Sequence, residues 1–262
     1  MNETDQAPVA IPPPPLRYSV VVPVYNEAAN IAAFCRKALA ELPVGYELLI
    51  CYDFDQDNTL PALTALPADQ KPPLVRLVRN RLGKGARYAI EAGMCAAEAP
   101  VVMVTMADLS DDFPKVAEMV ARAEGGADVV CASRYMRGGR QIGGPFIKGL
   151  LSRMAGLTLH WLAGLPTHDP TNSFKAYRRE FLRRTPIEST AGFSLALELT
   201  VKAHFSGGRV EEVPATWHDR AAGKSRFKLL KWLPSYLRWF LYAFTRFRPG
   251  GAARRLDESP DA

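Results

Sequence analysis

The chain has 262 residues, 48% of them apolar and 23% charged, which is the composition of an ordinary globular protein with one full core. Its 33 basic and 27 acidic residues give a net charge of +6, and residues 220–248 contain eight basic side chains and no acidic one. This basic segment favours an anionic partner, namely a membrane surface, a phosphate-bearing substrate or nucleic acid. Because its cations interleave with an apolar helix and no reader motif is present, nucleic acid is the least favoured of the three.

The two ends of the chain differ in composition from its middle. Residues 1–16 are rich in proline and residues 249–262 in glycine and charge, so we predict a disordered lead and a disordered tail. The lead carries acids rather than a basic start and an apolar centre, so it is not expected to be a signal peptide. The four cysteines lie in apolar contexts without a CxxC pair, as is typical of reduced core residues in a cytoplasmic protein.

Strand-like runs alternate with helical spacing over residues 17–225, which predicts one α/β domain with a mostly parallel sheet. The predicted strands are Tyr18–Val22, Glu47–Tyr52, Leu74–Val78, Val101–Thr105, Asp128–Ala132 and Arg209–Val213. The predicted helices are Asn26–Leu42, Lys84–Glu98, Phe113–Ala123, Phe146–Ala163 and Phe193–Phe205.

The loop after the first strand is the most informative segment. The strand is expected to end at Pro23, which cannot donate a hydrogen bond to a sheet ladder. Tyr25, Asn26 and Glu27 follow, and Asn26 is suited to cap the helix that begins there. A loop that joins a first parallel strand to a helix is where α/β folds bind nucleotides. We therefore expect nucleotide contacts from this loop.

Three carboxylates, Asp53, Asp55 and Asp57, follow the second strand. Two like charges about 4 Å apart repel by about 4 kcal/mol at an effective dielectric constant near 20. The loop therefore needs compensation, which hydrogen bonds to a base and a ribose, a cation or plain solvation would each provide.

The segment Gly83-Lys84-Gly85 follows the third strand and opens a helix. Glycine lets the backbone approach a phosphate closely, and the N-terminus of a helix favours anions. The spacing is not that of a Walker loop, so the pattern indicates an anion site without assigning an ATPase.

Asp108, Asp111 and Asp112 follow the fourth strand. Acidic residues favour the N-terminus of a helix, and the helix predicted from Phe113 explains Asp111 and Asp112 in this way. Carboxylate oxygens are also the ligands that a hard divalent cation prefers, and the resemblance described below bears on that interpretation.

Taken in chain order, these elements closely resemble the family 2 glycosyltransferases, in particular those that act on polyprenyl phosphates. Ser133-Arg134-Tyr135, the Asp169–Lys175 element and Arg220–Phe227 extend the resemblance across most of the chain. The chain departs from the family pattern at Tyr52 and Met106, where the family carries aspartates.

The resemblance implies a GT-A fold, that is, a Rossmann-like, mostly parallel sheet flanked by helices, followed here by a C-terminal amphipathic helix. It also implies Mg²⁺ or Mn²⁺ across the diphosphate of a nucleotide sugar, with Asp108 as the metal ligand. The residues it places at the nucleotide are Pro23, Tyr25, Asn26, Glu27, Asp53, Gly83, Lys84 and Ala107. The residues it places in catalysis are Asp108, Arg134, Asp169, Glu198, Arg220 and Lys224.

The activity implied by the resemblance is inverting transfer of a sugar from a UDP- or GDP-sugar to a polyprenyl or dolichyl phosphate. A phosphate oxygen is already anionic at neutral pH, so it needs positioning more than a general base. This agrees with four histidines that show no catalytic or metal-binding spacing. Two alternatives remain: a transferase with a non-lipid acceptor, and a non-catalytic nucleotide-sugar binder, which Tyr52 and Met106 would suit.

Two apolar stretches, Gly149–Leu165 and Phe227–Phe247, are interrupted by charges and are therefore not predicted to span a membrane. Residues 226–248 combine aromatic and cationic side chains, which suits a helix that lies in the membrane interface. The alternatives are a helix packed on the domain and a dimer interface, so a homo-oligomer is possible. We expect a cytoplasmic protein, peripheral on the inner face of the cell membrane.

Overall fold

The computed structural model describes residues 15–220 and 229–245. Within these residues a seven-stranded sheet has the spatial order β3-β2-β1-β4-β7-β5-β8, and a second sheet pairs β6 with β9. The strands are β1 (Tyr18–Pro23), β2 (Tyr46–Tyr52), β3 (Val75–Arg79), β4 (Val101–Val104), β5 (Val129–Ser133), β6 (Arg140–Ile142), β7 (Lys175–Arg178), β8 (Val210–Pro214) and β9 (Thr216–His218). The helices are α1 (Ala28–Glu41), α2 (Thr59–Thr64), α3 (Ala86–Ala96), α4 (Val116–Glu124), α5 (Phe146–Ala163), α6 (Arg179–Arg184), α7 (Ser194–Phe205) and α8 (Leu229–Thr245).

The valines of β1 are buried on both faces of the sheet. Val20 and Val22 belong to a core cluster with Phe34 of α1, whereas Val21 belongs to the cluster on the opposite face, with Ile90 of α3. Successive side chains of a strand point to opposite faces, so an uninterrupted β-branched run requires cover on both. The prediction of a central parallel strand ending at Pro23 is confirmed.

All six predicted strands are present, but the sequence analysis missed the strand that changes the sheet from parallel to mixed. β7 is antiparallel to β4 on one side and to β5 on the other. Its sequence begins with Lys175, which is fully buried, so the apolar run that marks the other strands is absent. The short elements α2, α6, β6 and β9 were also missed.

The five predicted helices are present, four of them with shifted starts. α1 begins at Ala28 rather than at Asn26, whose backbone lies in the left-handed region at φ 55°. α3 begins at Ala86, because Gly85 at φ 105° places the preceding backbone outside helical geometry. The helix predicted from Phe113 starts as a 3-10 turn, Phe113–Lys115, before α4. The bounds of α5 are those predicted.

The sheet of β6 and β9 lies against the loop after β4, and two hydrogen bonds join β9 to that loop. The backbone N–H of Thr216 donates to the Asp112 carboxylate at 2.8 Å, and that of His218 donates to the carbonyl of Ser110 at 3.0 Å. β9 therefore carries Arg220, two residues beyond its end, to the carboxyl end of β4.

α8 packs on the domain through one side. Trp239 is fully buried in a cluster with Leu197 and Val201 of α7 and Leu159 of α5. Of the alternatives considered for this segment, packing on the domain is therefore observed for one side of α8. No helix among residues 15–220 and 229–245 has both the length and the apolar character that crossing a bilayer requires.

Candidate active site

Three predicted site residues, Glu27, Asp108 and Arg220, meet at the carboxyl end of the sheet. The Arg220 Nη2 donates to Asp108 Oδ2 at 3.0 Å and lies 3.6 Å from Glu27 Oε1. Their side chains are 15–19% exposed, so the guanidinium is shielded from bulk water but not enclosed. The loops after β1, β4 and β9 each supply one member. The arrangement is a compact charge cluster with one cation between two anions.

The loop after β1 is held by the acidic loop after β2. The backbone N–H of Asn26 donates to both Asp57 carboxylate oxygens at 3.0 and 3.1 Å, and that of Glu27 donates to the Thr59 hydroxyl at 2.9 Å. Asp57 is fully buried and also accepts from the N–H of Thr59. Backbone amides therefore compensate this carboxylate, and Asp57 positions the loop after β1.

Asn26 does not cap α1, and this corrects the sequence analysis. The N-terminal flanking residue of α1 is Glu27, and its side chain makes no capping hydrogen bond. Asn26 instead accepts from the N–H of Asn58 at 3.3 Å through its side-chain oxygen. Asparagine tolerates the left-handed backbone of this position better than most residues, which explains its presence at a sharp turn.

Asp53 organises the glycine loop that follows β3. One carboxylate oxygen accepts from the Asn80 side-chain amide and the other from the backbone N–H of Gly85, both at 2.7 Å. Asn80 also donates to the carbonyl of Gly83 at 2.6 Å. Lys84 stays exposed at the tip of this loop. Sequence reasoning missed Asn80, although an asparagine just after a predicted strand was a usable signal.

Asp55 has a different partner from Asp53 and Asp57. Its carboxylate pairs with the guanidinium of Arg79 at the end of β3, and both side chains are largely exposed. The three acids that looked alike in sequence are thus compensated in three ways: by an amide side chain and a loop N–H, by a surface cation and by backbone N–H groups.

The three acidic residues of the loop after β4 have different contacts. Asp111 is buried and accepts from the Thr105 hydroxyl at 2.7 Å and from the N–H of Met106 at 3.2 Å. Burial raises the pKa of Asp111 to about 7, and the nearby charge of Asp108 also raises it, against the lowering effect of the Thr105 hydrogen bond. Asp112 is tied to β9 as described above. Asp108 is the acid of this loop that pairs with Arg220.

Asp108 fits the part of a metal ligand that accompanies a diphosphate. Mg²⁺ and similar hard cations at nucleotide sites commonly take one or two carboxylates and fill the rest of their shell with phosphate oxygens and water. Within the described part of the chain, no group of three histidine, cysteine or acidic side chains is arranged to hold a metal by itself. A cation here would therefore depend on the donor for most of its ligands. Ala107, beside Asp108, is buried in the core.

Arg134 and Asp169 form a second, more deeply buried pair. Arg134 donates from Nε at 2.6 Å and from Nη2 at 3.0 Å to the two oxygens of Asp169, which is fully buried. Burial opposes ionisation of Asp169, but the charges of Arg134 and of Lys175 outweigh it and hold the pKa of that carboxyl below its usual value. Arg134 also donates to the Ser152 hydroxyl of α5 at 3.1 Å. Asp169 thus fixes the position of the Arg134 guanidinium near the carboxyl end of the sheet.

Glu198 occupies a different environment. It is fully buried in α7 and accepts from the backbone N–H groups of Glu188 at 2.6 Å and Ser189 at 2.8 Å, and from Lys202 at 2.7 Å. Its contacts hold the segment that precedes α7. The predicted contact with the sugar remains a prediction that these contacts do not favour. Lys224 lies outside the described residues.

The side of the rim near β2 carries aromatic surface. Tyr25 is 44% exposed, and its ring packs edge-on against Phe54 with the centroids 5.3 Å apart. Pro23, at the end of β1, precedes this pair. The exposed Tyr25 ring, packed on the half-buried Phe54, provides a surface on which a nucleobase can stack.

A model of glycosyl transferase family 2 matches residues 19–185. This match covers more than half of the chain and includes the loops after β1, β2, β3, β4 and β5, so the chain belongs to glycosyl transferase family 2. The mostly parallel sheet flanked by helices is the GT-A fold of glycosyltransferases, as the resemblance implied.

Two curated relatives indicate which members of the family this chain resembles. The dolichol-phosphate mannosyltransferase of Pyrococcus furiosus is 30% identical over 218 residues, which are 81% of this chain and 60% of that protein. The polyprenol monophosphomannose synthase of Mycolicibacterium smegmatis is 29% identical over 234 residues, 84% of this chain and 88% of that protein. The chain thus spans less than two thirds of the first relative's length and most of the second's.

A solved structure agrees in fold. The glucosyl-3-phosphoglycerate synthase of Mycobacterium tuberculosis, in complex with Mn²⁺, UDP-glucose and phosphoglyceric acid, matches with a TM-score of 0.63 at 18% identity. The match covers 90% of this chain and 82% of the other. At this identity the similarity concerns the architecture of the domain alone.

Proposed function

We propose that this protein transfers a sugar, with inversion, from a nucleotide diphosphate donor to the phosphate of a polyprenyl carrier. The observation that carries the proposal is the meeting of Glu27, Asp108 and Arg220 at the rim of a glycosyl transferase family 2 domain. The similarity to a dolichol-phosphate mannosyltransferase and a polyprenol monophosphomannose synthase supports the lipid phosphate as acceptor and mannose as the first sugar to test. The nucleotide part of the proposed donor is UDP or GDP.

The donor would lie across the loops at the carboxyl ends of β1, β2 and β4. Tyr25 and Pro23 would offer apolar surface to the base, and Asp53, which accepts from the N–H of Gly85, would hold the Gly83–Gly85 loop next to the donor. Asp108 would hold a Mg²⁺ or Mn²⁺ ion, which supplies positive charge to the departing diphosphate when bound.

The acceptor requires positioning rather than deprotonation. A polyprenyl phosphate oxygen is anionic at neutral pH, so the attack on the anomeric carbon needs alignment and a desolvated cationic surface. Arg220 and Arg134 provide guanidinium groups that match phosphate geometry, and Asp169 fixes the second of them. Lys224 would add a further cation from the segment after Arg220. A peripheral position on the cytoplasmic face of the membrane would give access to the carrier.

A screen of UDP- and GDP-sugars against a polyprenyl phosphate, with and without Mn²⁺, tests the proposal by scoring the glycolipid formed and its anomeric configuration. Glycolipid of inverted configuration is expected with one donor. Transfer to an acceptor without a prenyl chain, and none to polyprenyl phosphate, would replace the proposal with the non-lipid alternative. Donor binding by calorimetry without product from any acceptor would identify a non-catalytic nucleotide-sugar binder.

A further inference from the structure

One side of α5 is covered with exposed apolar side chains. At 100° per residue these side chains fall within an arc of about 160°, nearly half the circumference of the helix. Phe146 is 79% exposed and Trp161 73% exposed. Ser152, Gly156 and Leu159 lie on the opposite side, which faces the domain. The exposed apolar side chains are Phe146, Ile147, Leu150, Leu151, Met154, Trp161 and Leu162. A surface of this extent and continuity marks an interaction site rather than ordinary solvated surface.

Cations flank this apolar arc. The same geometry places Lys148 and Arg153 at its two edges, and α5 contains no acidic residue. Lysine and arginine at the borders of an apolar face lay their aliphatic stems on that face and keep their charges at the level of lipid headgroups. The charge pattern is therefore complementary to an anionic bilayer surface.

α8 extends the surface. It contacts α5 and, while Trp239 is buried against α7, leaves an apolar stripe exposed on another side. α8 also lacks acidic residues and carries Lys231 on its exposed side. The exposed stripe consists of Leu233, Leu237, Leu241 and Phe244.

α5 also contacts the candidate site. Ser152 of α5 accepts a hydrogen bond from Arg134, and the hydroxyl of Tyr135 donates to the carbonyl of Gly149 of α5 at 3.4 Å. α5, which carries the larger part of the apolar surface, thus also lines the Arg134–Asp169 pair, and α8 packs beside it.

We propose that the exposed sides of α5 and α8 form one membrane-docking surface that rests in the headgroup region of an anionic bilayer. The inference rests on the proposed function in one respect: docking there brings Arg134 to the depth at which the phosphate of a lipid carrier lies. α5 is the larger contributor, with Trp161 and Phe146 as the interfacial aromatic side chains.

The test measures co-flotation of the full-length protein with phosphatidylcholine vesicles, with and without phosphatidylglycerol, in the absence of donor and carrier. The double variant Ile147→Glu/Leu162→Glu places two charges on the docking surface. The matched control, Val44→Glu/Leu74→Glu, places two charges at exposed aliphatic positions at the amino ends of β2 and β3. Thermal melting checks that both variants fold.

The wild type and the control should float with the anionic vesicles and detach at raised ionic strength, whereas the α5 variant should lose at least about tenfold in partitioning. Brominated lipid should quench fluorescence in the wild type and less in Trp161→Phe. Equal flotation of the α5 variant and the wild type would overturn the proposal. The proposal would also be overturned if the wild type did not bind vesicles but formed a dimer that Ile147→Glu/Leu162→Glu dissociates. The surface would then bind a second copy of the chain.

Turnover of a short, water-soluble polyprenyl phosphate distinguishes the two proposals, since this acceptor needs no vesicle. If the wild type binds vesicles as expected but transfers no sugar to any acceptor, the proposed function fails and the docking surface stands. If the wild type turns over the soluble acceptor and the α5 variant floats normally, the docking surface fails and the function stands.

Discussion

Replacing Asp108 with asparagine separates chemistry from folding at this site. Asp108 accepts one hydrogen bond from Arg220 at 3.0 Å and one from the N–H of Ser110 at 3.2 Å, and its side chain is 15% exposed. Asparagine is isosteric and keeps one acceptor oxygen. A hydrogen bond to a charged group contributes about 1.5–3 kcal/mol, of which the amide retains part, so we expect a loss of about 1 kcal/mol in the free energy of unfolding.

The loss of activity should be much larger than the loss of stability. Removal of one group that stabilises transition-state charge typically costs about 10²–10³ in rate, or about 2.7–4 kcal/mol. Asp108→Asn should therefore reduce kcat/KM for glycolipid formation by at least about 100-fold while the protein remains folded. The assay is glycolipid formation at saturating carrier, with chemical denaturation of the same preparation for stability.

Asp55→Asn is the matched control, because it removes a carboxylate from the same rim. Asp55 is 61% exposed and pairs with Arg79, so its loss should change neither measurement strongly. Asp108→Asn with wild-type turnover would refute the assignment of Asp108 to the donor. A loss of more than about 3 kcal/mol in the free energy of unfolding would refute the reasoning from its partial exposure.

Three further predictions concern stability and the glycine loop. The folded-state pKa of Asp111 is about 7, raised from 3.8, so between these values the folded state holds a proton that the unfolded state has lost, and stability falls as pH rises. The free energy of unfolding of Asp111→Asn should therefore rise relative to that of the wild type by about 1 kcal/mol per pH unit from pH 5 to 7. The same pH dependence of stability in both proteins would contradict this prediction. Trp239→Ala should cost about 3–5 kcal/mol in chemical denaturation, because the side chain is fully buried against α7; a loss below about 1 kcal/mol would mean that α8 does not belong to the folded core. Asn80→Ala should lower stability by about 1–3 kcal/mol and weaken nucleotide binding measured by calorimetry, because Asp53 and Gly83 lose a shared partner; unchanged binding would separate the loop from the donor site.

The Trp239 prediction also limits how membrane binding can be tested. Cutting the chain after Phe227 would remove Trp239 and uncover Leu197 and Val201 of α7. A truncated protein with an exposed core binds vesicles, or aggregates, for reasons unrelated to the native surface. Substitutions at exposed positions of α5 and α8 avoid this problem.

The sequence predicted the central part of the fold because that part follows simple periodic rules. β1, β2 and β4 are short apolar runs that alternate with amphipathic helices, and the predicted positions agree with the structure to within a few residues. β7 was missed because a fully buried lysine interrupts its apolar pattern. The charge of Lys175 is accommodated by the carbonyl of Asp169 and the thiol of Cys131, both at 3.3 Å, and neither contact is visible from neighbouring residues in the sequence.

Three of the predicted site residues, Glu27, Asp108 and Arg220, lie together in the structure, but the contacts that position the loops around them were not predicted. The sequence placed Asp53 and Asp57 in one acidic loop, and the resemblance assigned Asp53 to the nucleotide. The structure shows that each carboxylate holds a different neighbouring loop, through Gly85 and through Asn26. Such contacts depend on which loops the strand order places side by side. The order β3-β2-β1-β4 is a property of the whole domain and has no local signature.

The rim of the sheet contains charged groups with two kinds of partner, and this difference explains where a ligand can act. Asp57 and Asp169 are fully buried and are satisfied by several donors from their own chain, so removing those donors would leave an uncompensated buried charge. Glu27, Asp108 and Arg220 are partly exposed, and the guanidinium serves two carboxylates at 3.0 and 3.6 Å. If the proposed donor binds here, its diphosphate would accept hydrogen bonds from Arg220 in place of these carboxylates, and a divalent cation held by Asp108 would offset the repulsion between the diphosphate and the displaced carboxylates. We therefore expect the Asp108 cluster to exchange partners when the donor binds, while Asp57 keeps the loop after β1 in place and Asp169 keeps Arg134 in place.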